Sequence, residues 1–252
     1  MNGLALITGA SSGFGKAIAE KFASRGYDII ITGRRKNKLE ELSSSIKQKF
    51  PVKILVLDFD VQDKKAVDQH LAHLSEEWRQ IDVLVNNAGL ALGKDYFEEA
   101  NMDDWETMID TNLKGLMYVT RAILPFMIAR KKGHIINMGS VAAKEVYERG
   151  NGYSASKFAV DALSKAMRID LLRHNIRVTA IHPGAAETAF SLVRFKGNEQ
   201  EAQKVYEGFT PLSAEDVAET TWFCASLPPH VCINDLVITP TAQANSFYLN
   251  KK

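Results

Sequence analysis

Short apolar runs and longer amphipathic stretches alternate along almost the whole chain. Runs rich in Ile, Val and Leu at residues 4–8, 28–32, 53–57, 83–86, 134–138, 177–182 and 236–239 predict strands. Most are continuously apolar, as strands are when helices cover both faces of a parallel sheet. Between them, apolar positions at helical spacing predict helices over 15–25, 37–49, 64–77, 105–130, 153–174 and 214–226. This alternation predicts an α/β fold, a doubly wound sheet with helices on both faces. No linker, repeat or low-complexity segment divides it, so residues 1–252 are expected to form a single domain. Residues 198–208 are polar and helix-prone, and the region from 187 to about 210 is expected to form a lid over the substrate. The alternative for that region is an ordinary surface insertion.

Composition narrows the function classes. The 252 residues suffice for a large core, and 46% hydrophobic with 24% charged residues is an ordinary soluble composition. A net charge of +1 offers no electrostatic footprint for nucleic acid or an anionic membrane. No apolar run approaches the ~20 residues of a membrane span. Cys224 and Cys232 match no metal or redox spacing and are expected to be reduced thiols. Strand pattern begins at Leu4, leaving no room for a signal peptide. A cytoplasmic protein acting on a small molecule is expected, without a metal, nucleic-acid or membrane partner.

Two clusters carry chemistry. The first strand ends in Thr8-Gly-Ala-Ser-Ser-Gly-Phe-Gly15 and runs straight into a helix. Glycines 9, 13 and 15 permit a tight turn and let backbone N–H groups approach a pyrophosphate at the helix N-terminus. The second strand ends in Arg34-Arg35 with no carboxylate. Two guanidiniums suit a ribose 2′-phosphate, whereas an acidic residue would select the free 2′-hydroxyl. NADP(H) is therefore the expected cofactor; the alternative is a pair of solvated arginines opening a surface helix. The second cluster is Ser140, Tyr153 and Lys157, spaced Ser-x12-Tyr-x3-Lys. Tyr153 and Lys157 fall on one helix face, and a neighbouring ammonium favours a phenolate, making the tyrosine an acid/base for an alcohol or carbonyl.

With Asp60-Val61, Asn86-Asn87-Ala88-Gly89, Asn112 and Pro183-Gly184, these motifs stand in the order and spacing of the short-chain dehydrogenase/reductase family, which the sequence resembles over nearly its whole length. The resemblance implies a Rossmann-type, seven-stranded parallel sheet. It implies that Tyr153 is the acid/base and that Lys157 lowers its pKa and binds the nicotinamide ribose. Ser140 would orient the substrate oxygen, and Asn112 would bend its helix and hold a relay water. Singly, Ser140 reads equally as a helix cap and Asn112 as a buried amide. Cofactor contacts are implied for Gly9, Ser11, Ser12, Gly13, Phe14, Gly15, Arg34, Arg35, Asp60, Val61, Asn87, Ala88, Gly89, Tyr153, Lys157, Pro183, Gly184, Ala186 and Thr188.

Asn86–Gly93, Trp105–Asn112 and Val193–Gly197 look like the branch of NADP-dependent 3-hydroxy acid dehydrogenases, acting on serine, allo-threonine and related acids. Such a substrate needs a cation or several N–H donors near Ser140 and Tyr153. Arg149, Arg194 and Lys196 are the candidates, although Glu148, Arg149 and Glu187 depart from the branch pattern. The alternatives are a broad ketone and aldehyde reductase, a 3-oxoacyl thioester reductase, and an NADP-sensing protein without turnover. Family members are usually tetramers built on the two long helices. Phe158, Ala159, Ala162, Leu163, Ala166 and Met167 supply more apolar surface than one core-facing side needs, and Phe247 and Tyr248 lie beyond the last strand.

Overall fold

Each apolar run of the first strands divides its side chains between two layers. In the computed structural model, which describes residues 3–252, β1 (Leu4–Ile7) sends Ala5 and Ile7 to one core and Leu6 to the other, where Leu4 packs at the edge. That division makes both faces apolar and explains why the strands read as unbroken runs. The remaining strands are β2 (Asp28–Gly33), β3 (Ile54–Asp58), β4 (Val83–Asn86), β5 (Gly133–Met138), β6 (Ile176–Pro183) and β7 (Asp235–Ile238). They form one seven-stranded sheet in the order β3-β2-β1-β4-β5-β6-β7. Every pairing is parallel. The chain winds outward from β1 to β3, then returns to place β4 against the other side of β1. This reversal opens a crevice at the carboxyl ends of β1 and β4.

The helices are α1 (Gly13–Ser24), α2 (Lys36–Lys49), α3 (Lys64–Val67), α4 (Met102–Ile109), α5 (Leu116–Arg130), α6 (Asn151–Leu171), α7 (Ala189–Arg194), α8 (Glu199–Lys204) and α9 (Ala214–Ser226). One layer packs Phe22, Leu39 and Cys224 from α1, α2 and α9 against Ile29, Ile31 and Val85. The other packs Val119, Ile123, Met127 and Leu171 from α5 and α6 against Leu84, Ile135 and Val178.

Three expected elements differ. The helix expected over 64–77 is regular only to Val67, then widens into a π turn at Asp68–Ala72. The single helix expected over 105–130 is α4 and α5 separated by a π-helical stretch, Asp110–Gly115. Local tertiary contacts explain the second case. Gly115 presses so close to Val61 that an added Cβ would lie 2.7 Å from its Cγ2, and Asn112 is drawn toward Leu90 by two hydrogen bonds. β7 is the third case: it is a sheet edge with Asp235 and Val237 exposed, not a strand covered on both faces. Among the described residues, no helix is long and apolar enough to cross a membrane.

The stretch 187–210 leaves the sheet after β6 and carries α7 and α8. Its base is closed by hydrogen bonds from Glu187 N to Leu212 O (2.8 Å) and from Leu212 N to Ala185 O (3.0 Å).

Candidate active site

The floor of the crevice is set by Thr8. Its Oγ1 accepts hydrogen bonds from the backbone N–H of Asn87 (3.0 Å) and Ala88 (2.9 Å), while Asn87 Nδ2 donates to Thr8 O (2.8 Å). The ends of β1 and β4 are thereby locked together. Gly9 follows with φ +66°, and a Cβ there would meet Ala88 Cα at 2.9 Å. A Cβ on Gly15 would lie 2.4 Å from Gly9 O, so the first turn of α1 can press on the loop only as glycine. No side chain caps α1, leaving its N-terminal N–H groups available to an anion.

Arg34 and Arg35 sit at one end of this crevice in different states. Arg35 Nη2 donates to Ser11 Oγ (2.9 Å) and Ser12 Oγ (2.8 Å), which holds its guanidinium over the glycine turn. Arg34 is largely exposed, with Nη1 3.5 Å from Asp60 Oδ2. Phe59, Asp60, Val61 and Ala88 line the crevice with them.

At the other end, α6 presents Tyr153 and Lys157 one turn apart, both buried. Lys157 Nζ donates to Met138 O (2.9 Å) and lies 5.8 Å from the centre of the Tyr153 ring. Phe190 of α7 meets the same ring edge-on at 5.6 Å. Burial pushes the Lys157 ammonium down to about 8. Burial also pushes the Tyr153 phenol up, reinforced by Tyr147; a hydrogen bond with Ser140 and the charge of Arg194 oppose this only partly. The direction is thus opposite to the lowered phenol pKa expected from the sequence, because desolvation outweighs the Ser140 hydrogen bond and the charge of Arg194.

Ser140 follows β5 in extended conformation and caps a short turn, its Oγ accepting from Ala142 N (3.1 Å). It is thus both a cap and a partner of Tyr153. Asn112 is buried in the π stretch, its Oδ1 accepting from Leu90 N (2.8 Å) and its Nδ2 donating to Leu90 O (2.9 Å) and Ser156 Oγ (3.0 Å). Ser156 Oγ donates in turn to Tyr153 O (2.7 Å), so Asn112 joins the loop after β4 to the helix carrying the tyrosine. Gly89 is close to both: a Cβ would lie 3.1 Å from Asn112 Oδ1 and 3.5 Å from Lys157 Nζ.

The segment after β6 is split. Thr188 caps α7 and lines the crevice. Gly184 is pressed by Gln243, whose Oε1 accepts from Ala185 N (2.7 Å), and Ala186 O accepts from Tyr206 (2.8 Å).

The three candidate anion readers also separate. Arg194 reaches the centre: its Nε donates to Gly93 O (3.1 Å) and its guanidinium lies 5.7 Å from the Tyr153 ring and 5.5 Å from the Tyr147 ring. Arg149, with φ +61°, stacks at 4.2 Å on Tyr96, lining a shallower depression with Phe97 and Phe158. Lys196 is paired with Asp104 at 2.7 Å. Sequence reasoning passed over Tyr147 and Phe190, which frame the tyrosine, and Lys94, an exposed cation pushed below its ordinary pKa by desolvation and by Arg194 and Arg149. Their one signal was proximity, Tyr147 two residues before Arg149 and Lys94 just after the Asn-Asn-Ala-Gly turn.

A glycine turn at the β1–α1 junction and a Tyr-x3-Lys pair across the same crevice match a known arrangement. The family model for short chain dehydrogenases matches residues 3–198. The chain belongs to the short-chain dehydrogenase family. Within it, the chain is 46% identical over 242 residues to the NADP-dependent 3-hydroxy acid dehydrogenase YdfG of Escherichia coli (strain K12), covering 96% of both chains. It is 45% identical over 249 residues to sulfoacetaldehyde reductase 2 of Chromohalobacter salexigens, covering 98% of both. Among solved structures, the closed form of serine dehydrogenase complexed with NADP+ is 46% identical, with a TM-score of 0.91 and 99% of both chains covered.

Proposed function

We propose that this short-chain dehydrogenase uses NADP(H) to interconvert a hydroxyl and a carbonyl on small 3-hydroxy acids such as serine, allo-threonine and 3-hydroxypropionate. The observation that carries the substrate class is the Arg194 guanidinium, anchored on Gly93 and held 5.7 Å from the Tyr153 ring. An acid group bound there would place a hydroxyl two carbons away beside the phenol. The crevice fits the dinucleotide: the turn at Gly9, Ser11, Ser12, Gly13, Phe14 and Gly15 offers a backbone cradle, and Arg34 and Arg35 offer two cations for the 2′-phosphate. Asp60 and Val61 would flank the adenine, and Asn87, Ala88, Gly89 and Thr188 the rest, with Pro183, Gly184 and Ala186 shaping the nicotinamide loop.

When bound, the nicotinamide donates or accepts the hydride. The protein's part is the proton and the charge. Tyr153, kept protonated by burial, donates to the carbonyl oxygen in reduction; as phenolate it takes the alcohol proton in oxidation. Ser140 hydrogen-bonds the same oxygen, and Lys157, able to lose a proton near pH 8, stands behind the phenol. Asn112 fixes α6 relative to the loop after β4. The segment 187–210 acts as a lid, since Phe190 and Arg194 on α7 both reach Tyr153. We further place the protein in the cytoplasm as a homotetramer.

A second reading is favoured by the likeness to sulfoacetaldehyde reductase: Arg194 suits a sulfonate as well as a carboxylate. Absorbance at 340 nm tests both readings, with NADP⁺ or NAD⁺ against L-serine, L-allo-threonine, 3-hydroxypropionate and a simple secondary alcohol, and with NADPH against sulfoacetaldehyde. Turnover of the carboxylates with NADP⁺ is expected. Activity on the neutral alcohol alone would reduce the assignment to a general carbonyl reductase, and preference for the sulfonate would replace the carboxylate.

A further inference from the structure

Behind Ser140 lies a buried histidine facing a cluster of charged side chains that the reaction as described does not use. His182, on β6, is fully buried. Its Nδ1 lies 3.4 Å from the backbone N of Ser140 and 3.2 Å from the backbone O of Ser140. The approach is tight: a Cβ on Gly139 would lie 2.3 Å from the same nitrogen. The opposite nitrogen, Nε2, makes no hydrogen bond of good geometry, but faces Asp235 Oδ1 at 3.2 Å and Asp161 Oδ1 at 3.5 Å. Lys144 Nζ bridges these two carboxylates, from α6 and β7, and Lys165 holds the second oxygen of Asp161 at 2.7 Å. Lys144 thus takes the place that a cation would occupy between them.

This arrangement discriminates between the ring's tautomers. A proton on Nδ1 would donate to the Ser140 backbone O at 3.2 Å, but would leave the Nε2 lone pair facing two carboxylates. A proton on Nε2 faces Asp235 favourably and leaves Nδ1 to accept from the Ser140 N–H. Burial, aided by the charge on Lys144, holds the imidazole below its ordinary pKa against the pull of Asp235, the Ser140 backbone and Asp161. The residue that sets the backbone of Ser140 is therefore itself oriented by a carboxylate, the two-step support that fixes reactive groups elsewhere.

We propose that His182 is a positioning residue for the reaction: Asp235 selects its Nε2–H tautomer, and its Nδ1 holds the Ser140 backbone so that Ser140 Oγ meets Tyr153. The inference rests on the oxidoreductase reading and adds a residue to which that reading gives no part. It predicts which nitrogen matters. His182→Asn places an acceptor near Nδ1, whereas His182→Gln places its polar atoms near Nε2. The Asn variant is expected to keep kcat within about threefold, and the Gln variant to lose about 10–100-fold, the usual effect of removing an orienting partner. KM and the Kd for NADPH should be unchanged in both. In a Ser140→Ala background the Gln substitution should cost nothing more, because its effect passes through Ser140. A Gln variant as active as the Asn variant, or losses that add to Ser140→Ala, would overturn the proposal. Nitrogen-15 NMR of the wild-type histidine ring tests the same contact without turnover. A neutral ring protonated on Nε2 at pH 7 is expected, and a ring protonated on Nδ1 overturns the proposal even if a variant fails to fold. An inactive wild type would instead sink the oxidoreductase reading, while the ring spectrum still decides the His182–Ser140 contact.

Discussion

At the scale of single residues, Lys157 shows stability and function pulling in opposite directions. Burial lowers its pKa from 10.5 to about 8, so the folded protein disfavours the ammonium. The sign follows from proton counting: between about pH 8 and 10.5 the unfolded chain binds more protons, so this residue makes stability rise with pH in that window. Below pH 8 it is a constant cost on the order of 3 kcal/mol. Lys157→Met should therefore raise the Tm of the cofactor-free protein at pH 7 while removing turnover, measured by differential scanning calorimetry and the 340 nm assay. A lower Tm would mean that the bond to Met138 outweighs desolvation. Tyr153 sets the pH dependence of the reaction. With its phenol pushed up by burial, reduction should stay flat through neutral pH, and alcohol oxidation should climb steadily as pH rises. Arg34 and Arg35 differ in expected weight. Arg35 is already fixed by Ser11 and Ser12, so it loses less freedom on meeting a phosphate than exposed Arg34 does. Arg35→Ala should raise the KM for NADPH about 10–100-fold with little change for NADH, and Arg34→Ala should do so less.

At the scale of elements, what was legible in the sequence follows from what each signal measures. Apolar runs report burial on both faces, which β1, β2, β4 and β5 have, so they were placed within a residue or two. β7 was recognised as a strand, but its position as an exposed edge depends on which strand it joins, and no local pattern encodes that. The π stretch at Asp110–Gly115 was invisible to periodicity for a related reason. Its cause is a contact between Asn112 and Leu90, 22 residues apart in the chain. The motif named Asn112, while its partners became visible only in the fold. Because it satisfies both the N–H and the C=O of Leu90, Asn112→Ala should leave two buried groups unpaired and cost about 2–5 kcal/mol. A Tm drop of roughly 5–15 °C is expected for a chain of this size. A variant of unchanged Tm would mean that the loop after β4 is held by other contacts.

At the scale of the whole molecule, one surface stands apart. On α6, the apolar positions Phe158, Ala162 and Ile169, with Leu172 just beyond, recur at a helix's own period, with Lys165 between them. Phe158, Ile169 and Leu172 among them are 40%, 76% and 77% exposed. Met117 on neighbouring α5 is 42% exposed. Met167, which the sequence reading placed with this surface, instead packs on the core beneath, so the stripe is narrower than expected. Large apolar side chains left in water along one helix mark an association surface more often than chance exposure. A self-complementary helix face favours a two-fold contact between identical chains. If this stripe builds the proposed tetramer, Ile169→Asp with Leu172→Asp should split it into smaller species by light scattering coupled to size exclusion. Both residues lie at the end of α6 remote from Tyr153, so the separated chains should keep their affinity for NADPH. An unchanged mass in the double variant would move the interface elsewhere. Loss of cofactor binding together with dissociation would show instead that the crevice is braced across subunits, and that α6 transmits the support along its length.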